Sequence, residues 1–147
     1  MPQCIAIDQI HRCRSCVAKA CCAFGNSVEH LQDVAEDFER GRVYLPGEDL
    51  ARFRCTEGDL AARVPSRRFV ELMAFETTRA RALLADGAPL IRRLPLRAGL
   101  AVAGFVAGGR AALDALAGAG YDVLGRRPRP DRRAFAAALA ATLWERR

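Results

Sequence analysis

The sequence has almost no lysine. Its 23 basic side chains are arginines apart from Lys19, and they exceed the 17 acidic side chains to give a net charge of +6. Aromatic residues are also few, at 7%. The chain has no recognisable nucleic-acid-binding motif to accompany its arginines, so nucleic acid is not expected as a partner. An anionic membrane surface or a phosphorylated substrate would suit the same positive charge.

Long apolar runs are missing as well. The longest uncharged stretch is residues 98–109, between Arg97 and Arg110, whereas a helix needs about 20 apolar residues to cross a bilayer. The first residues also lack the apolar core of a signal peptide. These absences predict a cytoplasmic protein and leave a peripheral association with the membrane open.

Cysteine is unevenly distributed, with five of the six cysteines in the first 22 residues. In a cytoplasmic chain these thiols are expected to stay reduced. Cys13 and Cys16 have the spacing of half a zinc site, but a second well-spaced pair is missing. Free thiols are therefore the favoured interpretation. The alternative is a zinc site, whose ligands would be His11, Cys13, Cys16 and one of Cys21 and Cys22.

Sustained alternation of β-branched residues, the pattern of strands, is not found either. A chain of 147 residues with 51% hydrophobic residues fits one globular domain with a core. Apolar spacing and helix-breaking residues predict an all-α fold, with Thr56 and Ser66 as N-caps. The predicted helices cover approximately residues 16–39, 48–53, 66–86, 96–117 and 131–144.

One acidic residue interrupts the apolar stripe of the helix predicted over 66–86. Glu76 falls among apolar positions of that stripe, and Arg79 follows three residues later. Such a pair usually lies on a helix surface. The alternative is a buried polar pair beside a pocket, and the sequence leaves both open.

A ridge of acids stands out on the first predicted helix. Glu29, Asp33 and Asp37 recur every four residues and share one helix face, with Glu36 beside them. Their mutual repulsion and their position near the helix C-terminus are both unfavourable. A divalent cation would compensate, and Mg²⁺ prefers carboxylate, water and phosphate oxygens. The ridge therefore predicts a Mg²⁺ site that holds a diphosphate.

Basic residues follow this ridge directly. Arg40 and Arg42 come within five residues of Asp37, and Tyr44 follows two residues after Arg42. Because guanidinium groups bind phosphate oxygens in bidentate fashion, both arginines are predicted to contact the diphosphate. The alternative is a solvated face with local ion pairs such as Glu36–Arg40, since the D-x3-D spacing alone is short and common.

The run LQDVAEDFERGRVYLPGEDLARF, residues 31–53, resembles the second aspartate-rich region of the squalene/phytoene synthase family. Asp33-x3-Asp37 followed by R-G-R-V-Y-L-P matches the family's motif. The stretches LMAFETTRARALL and AVAGFVAGGRAALDALAGAGYDVL resemble its last helices, best those of the bacterial branch that makes squalene, hydroxysqualene or presqualene diphosphate. The resemblance covers residues 22–147, whereas residues 1–21 are unlike the family and a candidate for disorder.

The resemblance implies an all-α isoprenoid-synthase bundle that joins two prenyl diphosphates head to head, typically farnesyl diphosphate. The products of such enzymes enter squalene, hopanoid or carotenoid biosynthesis. It further implies Mg²⁺ as cofactor, held by Asp33 and Asp37, with Glu29 within reach. Arg42 and Arg40 would contact the diphosphate and Tyr44 would support the site. No residue is assigned a catalytic role.

The chain matches only the C-terminal half of this family. The family's first aspartate-rich motif has no counterpart before Asp33, and Glu29 replaces an asparagine of the family's motif. Three hypotheses follow: a Mg²⁺-dependent prenyltransferase represented by this half, a non-catalytic helical remnant or interaction module, and a basic surface-binding helical module that needs no metal. Half of a helical cup would expose apolar surface, which is expected to promote oligomers.

Overall fold

The computed structural model describes residues 28–145, and helices are the only regular elements in that range. The all-α prediction is confirmed. Residues 1–27, which hold five of the cysteines and the ligands of the alternative zinc site, and residues 146–147 lie outside the described residues. The helices are α1 Glu29–Gln32, α2 Val34–Glu39, α3 Gly47–Arg52, α4 Glu57–Ala61, α5 Arg67–Gly87, α6 Leu90–Arg93, α7 Leu96–Gly118 and α8 Arg132–Trp144.

Helices α4 and α5 begin at the predicted caps. Asp59 Oδ2 accepts a hydrogen bond from the Thr56 backbone N–H at 2.9 Å and closes the capping box of α4. The Ser66 hydroxyl accepts from Phe69 N–H at 3.2 Å and donates to Asp59 Oδ1 at 2.8 Å. The bonds from Thr56 and Ser66 lower the pKa of Asp59 to about 2. One carboxylate therefore stabilises the start of two helices.

The first predicted helix ends at Glu39 as expected, but its described part is not continuous. Asp33 separates α1 from α2, and its φ of −108° and ψ of 17° depart from helical values. Backbone hydrogen bonds still run from Asp33 N to Glu29 O at 3.0 Å and from Asp37 N to Asp33 O at 2.8 Å. The prediction of an unbroken helix was wrong at Asp33, because hydrophobic spacing carries no signal for a local bend. The one-turn spacing of the acids is retained.

The core lies where α5 packs on α7. The predicted apolar stripe of α5 is buried except for Leu83, which is half-buried. Helix α8 covers another side of α7, where Leu139 and Leu143 contact buried residues around Val106. The short helix α6 was not predicted. The main buried side chains of the α5–α7 core are Phe69, Leu72, Met73, Ala80, Leu84, Leu113 and Leu116.

Helix α7 is long and apolar enough to cross a membrane, judged by length and composition alone, and it is the one such helix among residues 28–145. Of its most apolar stretch, 44% is buried inside the structure. The core helix of a globular domain meets the same criteria. The observation is therefore weak evidence for a membrane span.

Candidate functional site

Asp33 lies where the first described helices meet the loop between α7 and α8. Arg127 Nη2 is 2.5 Å from Asp33 Oδ2, and its Nη1 is 3.1 Å from Glu36 Oε2. Gln32 Nε2 donates to the carbonyl of Pro128 at 2.6 Å and holds the same loop in place. The hydrogen bond with Asp33 raises the pKa of the Arg127 guanidinium. The acidic ridge is thus joined to a loop more than 90 residues away.

An open cavity of about 480 Å³ lies beside this ion pair. Its lining includes Glu29, Asp33, Arg127 and Arg129. The wall therefore carries both carboxylates and guanidiniums. A cavity of this size has room for a diphosphate group together with a hydrated cation.

Asp37 has different neighbours from Asp33. It is buried, at 7% exposure, and Arg42 Nη2 lies 3.0 Å from its Oδ1 while His30 Nδ1 lies 3.4 Å from its Oδ2. The His30 ring stacks on the Tyr44 ring with centroids 3.7 Å apart, and Arg42 lies over the same ring at 5.9 Å. These four residues line a separate void of only about 10 Å³. They form a compact network next to the larger cavity.

The turn after α2 explains why Arg42 reaches Asp37. Gly41 has a φ of +72°, which glycine adopts without strain. Its N–H donates to the Phe38 carbonyl at 2.9 Å, and Arg42 N–H donates to the Asp37 carbonyl at 2.8 Å. This pair of bonds is a Schellman motif. Arg42 is therefore bonded to Asp37 twice, by its backbone and by its guanidinium.

Arg40 forms the local ion pair with Glu36 that the alternative interpretation of the sequence predicted. Its Nη2 lies 2.6 Å from Glu36 Oε1, and 59% of its side chain is exposed. The structure thus brings Asp37, Arg42 and Tyr44 together and leaves Arg40 on the helix surface.

His30 and Arg127 were missed by the sequence reasoning. His30 stands within the ridge, but a lone histidine on a helix predicts no partner. Arg127 belongs to the loop RRPRP, whose basic character was visible, but no spacing rule connects it with Asp33.

The predicted Mg²⁺ ligands can be compared with the side-chain atoms that the ion prefers. Among residues 28–145, no group of three histidine, cysteine or carboxylate side chains is placed to hold a metal ion. Glu29 and Asp33 nevertheless share a cavity wall and offer the hard oxygen atoms that Mg²⁺ prefers. These two residues fit the ion in chemistry, but Asp33 is engaged by Arg127 just as Asp37 is engaged by Arg42. The assignment of Asp33, Asp37 and Glu29 as Mg²⁺ ligands stays a prediction.

The family model described as "Squalene/phytoene synthase" matches residues 11–134. The chain is 52% identical over 64 residues to a 15-cis-phytoene synthase of Synechocystis sp., a match that covers 44% of this chain and 19% of that protein. It is 41% identical over 98 residues to a phytoene synthase of Thermus thermophilus, covering 66% of this chain and 33% of that protein.

Solved structures resemble the chain as well. The crystal structure of a dehydrosqualene synthase superposes with a TM-score of 0.77 at 20% identity, over 87% of this chain and 45% of that one. At this identity the likeness concerns the fold. A squalene synthase of Alicyclobacillus acidocaldarius gives a TM-score of 0.69 at 31% identity, over 78% of this chain and 42% of that one. The chain therefore spans less than half the length of these relatives.

Proposed function

The chain belongs to the squalene/phytoene synthase family, and from this premise we propose that it forms the diphosphate-binding part of a head-to-head prenyltransferase. Such an enzyme condenses two prenyl diphosphates with loss of diphosphate. Farnesyl diphosphate is the proposed substrate. Relatives named as phytoene, dehydrosqualene and squalene synthases support the reaction class. A product assay would distinguish a product of the squalene type from one of the carotenoid type.

The observation that carries this proposal is the meeting of Asp33 and Arg127 at an open cavity. An exposed ion pair usually contributes only about 0–1 kcal/mol to stability, so stability alone does not explain why charges of both signs gather there. A metal–diphosphate ligand would use both signs, since carboxylates bind the cation and guanidiniums bind phosphate oxygens.

The residues around the cavity can then be given roles. Glu29 and Asp33 would hold Mg²⁺, which when bound stabilises negative charge on a departing diphosphate. Arg127 and Arg129 would bind phosphate oxygens from the same wall. Asp37 is the third predicted ligand, and its ion pair with Arg42 would have to open for it to join.

The segment after α2 also belongs to the proposed site. Arg42 is fixed by the Schellman turn and by Asp37, and Tyr44 is fixed by stacking on His30. These contacts order the segment without filling the larger cavity. Arg42 and Arg40 remain the proposed diphosphate contacts of this segment, and Arg40 would first have to leave Glu36.

A non-catalytic helical remnant or interaction module is the second candidate. One observation favours it: Asp33 and Asp37 both have arginine partners. In that case the ion pairs would be permanent parts of the structure, and Mg²⁺ would have no effect on binding.

A cytoplasmic location with peripheral contact to a membrane is also part of the proposal. Prenyl chains are apolar, so the substrate of such an enzyme partitions between the membrane and the protein. Fractionation of cells into cytosol and salt-washed membranes would test this assignment, and release of the protein from membranes only by detergent would contradict it.

Calorimetric titration with farnesyl diphosphate tests the site. Binding is expected to require Mg²⁺, and Asp33→Ala and Asp37→Ala are each expected to weaken the Mg²⁺-dependent binding at least roughly tenfold, because each removes a ligand charge. Glu39→Ala removes an exposed acid from the end of the same helix and serves as the matched control, with binding unchanged.

Two results would count against the proposal. Parent-like affinity in both aspartate variants would contradict the metal site. Absence of any binding by a chain whose circular dichroism shows it to be folded would favour the non-catalytic module.

A further inference from the structure

Two carboxyl groups away from the acidic ridge share one arginine. Asp49 of α3 is 3% exposed and Glu76 of α5 is 2% exposed. Arg79 Nη1 lies 2.7 Å from Asp49 Oδ2 and 3.3 Å from Glu76 Oε1. One guanidinium balances only one carboxylate, so the fully ionised group would keep an uncompensated negative charge away from water. Such a charge is costly to bury.

Aromatic side chains pack beside this group. The guanidiniums of Arg52 and Arg79 lie over the Phe75 ring, at 4.6 Å and 4.8 Å from its centroid. Phe53, which follows α3, packs on the same ring at 5.4 Å. Arg79 thus connects α3 and α5 both through the carboxyl groups and through Phe75.

The charged groups near Glu76 set its protonation. Burial and the hydrogen bond with Asp49 raise the pKa of Glu76 to about 7, Arg79 opposes this shift, and Glu48 of α3 adds to it. From α7, Asp114 faces α5 but pairs with Arg81 at 2.6 Å. Glu76 is therefore the group whose proton removes the uncompensated charge.

We infer that Glu76 and Asp49 share one proton and, together with Arg79, form a proton-dependent lock that holds α3 on α5. Removal of the proton leaves two carboxylates competing for one guanidinium and weakens the attachment of α3. Because α3 follows the segment that carries Arg42 and Tyr44, the lock also positions that segment. This last consequence rests on the proposed function, whereas the lock itself does not.

Urea unfolding of the full chain between pH 4.5 and pH 8.5 tests the lock. Glu76 ionises near its ordinary value of 4.5 in the unfolded chain and near 7 in the folded one, so the folded state binds more protons between these values. The folding equilibrium constant is therefore expected to fall by roughly two orders of magnitude as pH rises through this window, and to level off above it. Glu76→Gln, which resembles the protonated side chain, should remove this dependence.

Glu71→Gln is the matched control, because Glu71 lies on the same helix in an exposed pair with Arg67 and its replacement should leave the pH profile unchanged. Carbon-13 NMR of the glutamate carboxyl carbons should show one resonance that titrates near pH 7 in the parent and in Glu71→Gln, but not in Glu76→Gln. The inference is overturned if every glutamate titrates near its ordinary value, or if Glu76→Gln keeps the parent's profile.

If Glu76→Gln does not fold, the shared proton is tested by the NMR titration of Glu76 in the parent and in Asp49→Asn. Asp49→Asn leaves a single carboxyl group beside Arg79, so Glu76 should then ionise at lower pH. Unchanged titration of Glu76 in this variant would overturn the shared proton. None of these measurements uses a ligand, so the result is independent of whether the chain binds diphosphate.

Discussion

At the scale of single residues, two buried threonines differ in how their hydroxyls are satisfied. Thr77 Oγ1 has no hydrogen-bond partner in the part of the chain that the structure describes. Thr142 Oγ1 instead donates to the Ala138 carbonyl at 2.8 Å and accepts from Arg110 at 3.2 Å. A buried polar atom without a partner costs about 1–3 kcal/mol. The two hydroxyls should therefore contribute to stability with opposite sign.

Valine at these positions makes the difference measurable. Thr77→Val is expected to raise the free energy of unfolding by about 1 kcal/mol, because it removes an unpaired hydroxyl at nearly constant volume. Thr142→Val is expected to lower it by about 1 kcal/mol, because it removes two hydrogen bonds. Urea denaturation at neutral pH checks both, and a loss of stability in Thr77→Val as large as that in Thr142→Val would contradict the assignment.

At the scale of elements, local sequence signals fix most helix ends. Thr56, Ser66 and Asp131 are caps whose partners lie three residues away, so these starts could be predicted from the sequence. The bend at Asp33 and the helix α6 were not predicted, because neither has a side-chain cap. The end of α2 depends on Gly41, whose positive φ lets the chain turn back toward Asp37.

Alanine variants of Gly41 and of Gly47 distinguish the effect of a positive φ from the effect of helix propensity. Gly41→Ala is expected to lower the free energy of unfolding by about 1 kcal/mol, because alanine is strained at a φ of +72° although nothing lies within 4 Å of its Cβ. Gly47→Ala is the control, since this residue starts α3 without a positive φ and also in open space.

The control variant should be as stable as the parent or up to about 1 kcal/mol more stable, since alanine favours a helix over glycine. Thermal and urea unfolding provide the comparison. Equal effects of the two alanines would show that the turn after α2 does not depend on the left-handed conformation.

At the scale of the whole molecule, apolar side chains remain exposed near the start of α7. Leu96 is 63% exposed and Leu100 is 45% exposed. Exposed apolar surface of this kind favours association. The oligomers expected from the sequence would use this surface.

Sedimentation velocity at increasing protein concentration tests the association. The parent is expected to form oligomers, and Leu96→Gln combined with Leu100→Gln should weaken association by roughly tenfold, because less apolar area leaves water. Val64→Gln, at a residue 77% exposed before α5, is the control and should behave as the parent. A parent that stays monomeric at all concentrations would show that this surface has no role in self-association.

The sequence by itself determined the all-α class, most of the helices with the caps at Thr56 and Ser66, the family, and the ridge of acids with its following arginines. These features depend on residues a few positions apart, and helical periodicity converts such spacing directly into a shared face. It also narrowed the pair of Glu76 and Arg79 to two alternatives. The tertiary structure buries Glu76 and bonds it to Arg79, whereas the pocket beside the pair stays a prediction.

Only the tertiary structure decided which charges share a partner. Asp33 and Asp37 are equivalent in the sequence pattern, yet Asp33 meets Arg127 at an open cavity and Asp37 is buried against Arg42. Glu76 likewise meets Asp49 because α3 packs beside α5. The physical reason is that the partner and the burial of a charge depend on contacts between distant segments, and these determine both its pKa and its availability to a ligand.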